Sequence, residues 1–241
     1  MGECRVWRFA ANPTRPTRLQ KAQPKGTFLV RKFRSPTELT DLNVLKIEGC
    51  TMRGFIDIHQ SEAHSHIIER LESNSAPLVS FCELNRGIHA YRTDGYGESK
   101  FSKGPQTKRD KEEQSYHSKM KLDTSFFPEI KGKHLARYFY TWDGNYVSYG
   151  KWLAEPRSPE FFFNPKLAIR KTIAPRLVCT FIKEQAILDQ SIYVAIRKSN
   201  DLPHLPFLLG ILASTIGGWY IQTKHSIYDT LYPWFAKEQL A

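Results

Sequence analysis

Cations, hydrogen-bonding side chains and glycines crowd into residues 87–157, and their types suit gripping a polyanion better than breaking a bond. Between Lys100 and Arg137 stand ten basic residues against five acids. Lys and Arg neutralise phosphates and release counterions, while Gln, Ser, His and Arg can read base edges in a major groove. Gln106, Thr107, Lys108, Arg109, His117, Ser118, Lys119 and Lys121 offer both kinds of group. A solvated insertion loop explains the same composition, so composition leaves both readings open.

Other chemistries find less support. His64 and His66 with Glu69 (HSHIIE) suggest a metal site, but residues two apart on a helix do not share a face. A solvated helix face is the better reading. Asp143, Glu155, Glu184 and Asp189 are scattered, and Lys183-Glu184 runs in the wrong order for an Asp…Glu-x-Lys nuclease core. Gly-x-Ser-x-Gly, the P-loop and Gly-x-Gly-x-x-Gly are all absent. Gly95-Tyr96-Gly97 has no strand-to-helix context and reads as a flexible loop. Cys4, Cys50, Cys82 and Cys179 are too far apart for a zinc ribbon or a disulfide scaffold, so reduced thiols and a cytoplasmic location are expected.

The whole chain of 241 residues carries a formal charge of +11, which points to nucleic acid or an anionic surface as partner. Residues 1–34 account for +8 of it, with nine Arg or Lys against Glu3, and the rest of the chain for +3. Any DNA-binding claim about the folded body must therefore rest on local clusters. The N-terminus shows no apolar core of a secretory signal, and its Arg-rich, acid-poor start suits a basic arm, the remnant of an upstream domain or a transit peptide. Leu205–Ile221 (LPFLLGILASTIGGWYI) is short of a membrane span and contains Ser214, Thr215 and paired glycines, so it reads as a buried helix.

The elements that must position these groups can be outlined. Residues 1–36 read as a basic, flexible tail interrupted by Pro13, Pro16, Pro24 and Pro36, and residues 37–241 as one domain. GFIDI (54–58) predicts a strand, Ser61 caps a helix to Ser73, and Ala76–Leu84 reads as a buried strand. The basic loop ends near Lys133. Tyr138–Tyr149 predicts a hairpin about Asp143-Gly144. Strands follow at Lys166–Ile173, Arg176–Ile182 and Ser191–Arg197, with a turn at Ala174-Pro175 and a loop over Lys183–Gln190. The late helix presents Gly210, Ser214 and Gly218 as a small-residue face for close packing. Together these predict an α+β fold: a mixed, mainly antiparallel sheet with hairpins, a few packed helices and a long basic loop.

KGPQTKRDKEEQSYHSKMKLDTSFFPEIKGKHLARY, YVSYGKWLAEPR, NPKLAIRKTI and RLVCTF…SIYVAI occur in an order that resembles the TaqI-like C-terminal specificity domain. This is the target-recognition module of adenine-specific DNA methyltransferases and combined restriction–modification enzymes. The resemblance covers about residues 40–241. It implies a sequence-specific reader of double-stranded DNA, non-catalytic alone, whose partner is a methyltransferase domain or subunit. No cofactor is expected in this chain, and S-adenosylmethionine is expected for the catalytic part. If the chain reads DNA, polar and basic side chains on residues 86–121 reach it, and Arg86, Tyr91, Arg92, Lys103, Gln106, Lys108, Arg109, His117, Lys119 and Lys121 are the contact candidates. Lys133, Arg137, Arg170 and Arg176 serve either phosphate contact or packing at the edge of the core.

Two positions depart from the family pattern. Gly132-Lys133 is followed by His134-Leu135 in place of Asp-Ile, and Leu212-Ala213-Ser214-Thr215 stands where Leu-Asn-Ser-Lys is usual. The catalytic Asn-Pro-Pro-Tyr motif and the glycine-rich methyl-donor loop are missing, since Asn164-Pro165 leads into Lys166. A recognition module separated from its catalytic part is expected. The alternatives are a truncated methyltransferase or restriction enzyme with residual activity, and a membrane-associated basic protein.

Overall fold

Three apolar runs, KLAIRKTI, LVCTFI and IYVAIR, are too continuous for strands with one wet face, and each becomes a strand buried on both sides. A computed structural model describes residues 17–19, 28–32, 44–47, 62–173, 176–225 and 233–240, with backbone alone for the first three stretches. The chain divides into two units, Met1–Asn74 and Ser75–Ala241.

In the first unit, β1 (Thr17–Leu19), β2 (Phe28–Lys32) and β3 (Val44–Ile47) pair antiparallel in that order. Two of these short strands fall in the stretch read as a tail. Helix α1 (Glu62–Ser73) follows the predicted bounds. The strand expected at 54–58 lies outside the described residues, as does the Ala174-Pro175 turn.

The second unit runs through β4 (Cys82–Arg86), α2 (Lys108–Glu112), β5 (His117–Ser118), β6 (Phe126–Ile130), β7 (Tyr146–Ser148) and α3 (Glu160–Phe163). It continues with β8 (Lys166–Ile173), β9 (Leu177–Ile182), β10 (Ile187–Leu188), β11 (Ile192–Arg197), α4 (Leu205–Leu212) and α5 (Thr215–Lys224). One sheet has the order β4-β11-β8-β9 and is antiparallel throughout. The other has the order β10-β6-β7-β5, with β10 parallel to β6 and the remaining pairs antiparallel. The predicted α+β class, mainly antiparallel, holds.

Alternation along the strands builds two cores on opposite faces of the first sheet. Leu167, Ile169, Tyr193 and Ala195 pack with Leu205, Leu208, Leu209, Ala213 and Ile221 of the late helices. Ala168, Ile192 and Val194 pack with Ile130, Val147, Leu153 and Phe162, which join the second sheet to the first. Burial pushes the thiols of Cys82 and Cys179 up to about 11 and about 12, so both behave as small apolar side chains.

Several expectations need correction. Ala76–Leu84 is not one strand: a 3-10 turn at Leu78–Ser80 precedes β4. Lys183–Gln190 contains the short strand β10. The basic loop contains α2, β5 and β6. The Asp143-Gly144 turn exists, with Gly144 at φ +79° and the Asn145 amide donating to Asp143 Oδ1 at 3.2 Å, but no hairpin forms across it. Both edges of β7 are taken, by β5 and β6, so residues 138–142 have nowhere to pair. They close on themselves instead, through the Leu135–Tyr140 bridge and the Ala136 amide to the Phe139 carbonyl at 2.9 Å.

The late helix breaks after Leu212, and α4 and α5 meet at 63°. Ser214 starts the second helix by accepting the Gly217 amide at 3.0 Å. Gly218 makes a close approach, since a Cβ there would lie 3.2 Å from the Arg176 Cα, while Gly210 faces open space. The three small residues therefore form no common seam. Among the described residues, no single helix is long and apolar enough to cross a membrane.

Candidate nucleic-acid interface

A loop rich in glycine and lysine holds a shape only if buried polar groups fasten it from within. Gln106 is the first fastener. Its side-chain oxygen accepts the Arg92 amide at 3.0 Å, and its nitrogen donates to the carbonyls of Ala90 and Trp152 at 2.9 and 3.1 Å. Gly97 lies over it at φ +67°, where a Cβ would meet the Gln106 amide at 2.6 Å. Gly97 is therefore a required close approach, not merely a flexible position.

Asp110, fully buried at the third position of α2, is the second fastener. Its carboxylate accepts from Ser99 Oγ, the Lys100 amide, the Thr107 amide and hydroxyl, and Ser115 Oγ, at 2.7 to 3.1 Å. Burial alone would raise this carboxyl. The bonds donated by Ser99, Thr107 and Lys100 outweigh burial and hold it well below the usual carboxylate range. Thr107-Lys-Arg-Asp110 is a capping pattern legible in the sequence.

The third fastener ties the loop to the second sheet. The Tyr116 amide donates to the Tyr91 hydroxyl oxygen at 2.7 Å, and that hydroxyl lies 2.8 Å from His117 Nδ1. On the other side of the ring, His117 Nε2 lies 3.0 Å from Glu129 Oε1. An ionised carboxylate only accepts, so the neutral ring carries its proton on Nε2 and accepts from Tyr91 at Nδ1. Lys131 Nζ sits 3.0 Å from the other Glu129 oxygen. Burial would raise the Glu129 carboxyl, but His117 and Lys131 hold it down. Burial pushes the Tyr91 phenol strongly up.

The expected contact residues fall into three groups. Arg86, Lys103, Lys108, Arg109, Lys119, Lys121, Lys133 and Arg176 are exposed. Lys108 and Arg109 pair with Glu112 and Glu113 one turn on, at 3.3 and 2.7 Å, in solvent where such pairs contribute little. Arg109 also lies over the Phe101 ring at 4.2 Å, and Lys133 is 3.4 Å from Asp143.

Arg92, His117, Arg137 and Arg170 are half-buried and already partnered. Arg92 pairs with Asp94 and Glu155 and stacks on Tyr96 at 4.3 Å. Arg137 donates to the Ala213 carbonyl at 2.7 Å, and Arg170 to the carbonyls of Gly132 and Leu135. Of the two roles open to these last two, packing at the core edge is the one their bonds serve.

Tyr91 and Gln106 depart from the expectation. Both are buried, and their polar atoms are used by the internal bonds above, so neither presents a group to a base edge. Glu129 escapes a sequence reading because a carboxylate in a basic stretch looks like surface charge, and Asp110 shows there only as the acid of the capping pattern. Lys166 escapes it as well: fully buried, it donates to the carbonyls of Phe162, Asn164 and Glu184. Among the described residues no group of three or more His, Cys, Asp or Glu is placed to hold a metal ion.

The arrangement is a pinned scaffold that presents cations and contains no reactive constellation among the residues named. Its core is of the mixed α+β class. Residues 127–241 match the TaqI-like C-terminal specificity domain, which bears out the resemblance over that stretch, while residues 40–126, also read as part of it, lie outside the match. That match ties this part of the chain to the specificity domains of restriction–modification enzymes. It begins at Phe127, so the contact candidates from Arg86 to Lys121 lie upstream of it and Lys133, Arg137, Arg170 and Arg176 lie within it. No curated protein matches the chain.

Proposed function

We propose that this chain reads double-stranded DNA for a restriction–modification system and performs no methyl transfer itself. The observation that carries the reading is the position of the pinned, cation-bearing stretch Lys100–Lys121 directly before the matched specificity domain. Phosphate contacts from Lys103, Lys108, Arg109, Lys119, Lys121, Lys133 and Arg176 would set register, and base contacts would select the sequence. The catalytic step belongs to an adenine-specific methyltransferase partner that binds S-adenosylmethionine, in the cytoplasm.

The test is a gel-shift series across salt with the full chain. Binding should weaken steeply as salt rises, with a slope of about 0.9 per phosphate bound. Changing Lys103, Lys108, Lys119 and Lys121 to Gln should flatten that slope. Binding that ignores salt and survives the four changes would falsify the reading. Incubation with a labelled methyl donor should give no methylated DNA unless the partner is added.

A further inference from the structure

Exposed apolar side chains in the second unit fall into separate sets, and one has an unusual setting. Met120 is 68% exposed and Leu122 60%, and they alternate with lysines in the run Lys119-Met120-Lys121-Leu122 that joins β5 to β6. Tyr138 and Phe139 are also open, but their neighbour Arg137 is turned inward onto Ala213. Phe207, Ile211 and Ile216 of the late helices have no basic residue between them. Of these sets, the first couples apolar tips to exposed cations.

The connection is held firmly at both ends. The Met120 amide donates to Ser118 Oγ at 3.0 Å. Ser125 donates its amide and hydroxyl to Asp123 Oδ1 at 2.7 and 2.6 Å, and its hydroxyl meets that of Ser148 at 2.8 Å. These bonds hold the Asp123 carboxyl below its ordinary value and fix one of its oxygens within the turn. Strands β5 and β6 are both paired to β7, so the tip rides on a fixed three-strand base.

Exposing two large apolar side chains to water is unfavourable by itself, and lysines on either side draw the tip to a polyanion. Proteins that kink DNA insert Leu, Met, Phe or Ile between base pairs while flanking cations hold the phosphates. We propose that Lys119–Leu122 is such a wedge: Met120 and Leu122 enter a base step of the target, and Lys119 and Lys121 clamp the backbone beside it. This rests on the DNA-reading function above and names residues that function had not assigned.

The test begins with the full chain and a randomised duplex pool, from which the bound sequence is selected. The selected duplex is then made with 2-aminopurine at each position in turn, which brightens where a base is unstacked. The wild-type chain should brighten one step. Met120→Ala with Leu122→Ala should abolish the brightening and weaken binding about tenfold with the salt slope unchanged. A duplex with an unpaired base at that step should recover most of the affinity, because its stacking is already broken. Met120→Leu with Leu122→Met should behave as wild type, and thermal melting should be the same for all.

Lys119→Gln with Lys121→Gln should flatten the salt slope and keep the brightening. The wedge is overturned if the wild type brightens no step, or if the alanine variant matches it in affinity and fluorescence. It is equally overturned if that variant keeps full DNA binding but no longer binds a protein partner. A chain that selects no sequence and binds no duplex sinks the DNA reading itself, which is a distinguishable result.

Discussion

Lys166 shows how far the interior departs from what its residue types suggest. A fully buried ammonium survives because three carbonyls receive its three protons, those of Phe162, Asn164 and Glu184 at 2.7, 3.2 and 2.8 Å. Burial lowers its pKa to about 8, against a weaker opposing pull from Glu184. The unfolded chain therefore holds more protons than the folded one between about 8 and the ordinary lysine value of 10.5, so stability contributed at this site rises with pH across that window. Lys166→Met should lower stability at pH 7 by about 1–3 kcal/mol by leaving the carbonyls unpaired. The gap between wild type and variant should widen from pH 8 to 10.5, read as the difference in urea midpoints. A gap that stays constant would show that Lys166 is not titrating there.

At the scale of elements, the break between α4 and α5 is the clearest case of one residue setting geometry. Ser214 cannot both continue α4 and cap α5. Its side chain takes the Gly217 amide at 3.0 Å and its hydroxyl donates to the Ile211 carbonyl at 2.6 Å, which closes one helix and opens the next. Ser214→Ala should destabilise the unit by about 1 kcal/mol, seen in chemical denaturation, with the fold retained. Replacement by Asp, another good cap, should recover most of that stability.

Strands β8, β9 and β11 are legible in the sequence within a residue at either end, because continuous β-branched and apolar runs have no other use in a chain this polar. The late helix is legible as apolar but not as broken, since the cap at Ser214 sits inside the hydrophobic run. The Tyr138–Tyr149 hairpin misleads for a different reason. The turn chemistry at Asp143-Gly144 is right, but pairing is decided by non-local partners, and β5 and β6 claim both edges of β7. In the loop, the charge pattern identifies the exposed lysines. It does not show that Tyr91 and Gln106 face inward, because their roles depend on Tyr116, Ala90 and Trp152, brought up from distant positions.

At the scale of the whole chain, the positive charge is divided by position. Residues 1–34 carry +8, and the rest of the chain carries +3. Charge in a segment without fixed base contacts adds affinity for any duplex, whereas cations fixed beside base-reading groups add register. The two parts should therefore separate experimentally. Changing Arg5, Arg8, Arg15, Lys21 and Lys25 to Gln in the full chain should weaken binding to selected and random duplexes by the same factor. The salt slope should fall by about 0.9 for each phosphate no longer neutralised. The ratio of selected to random affinity should stay unchanged, and it should fall when Lys119 and Lys121 are changed with Met120 and Leu122. If neutralising the N-terminal charges alone collapses that ratio, sequence reading resides in the first 34 residues, and the Lys100–Lys121 surface is only an anchor.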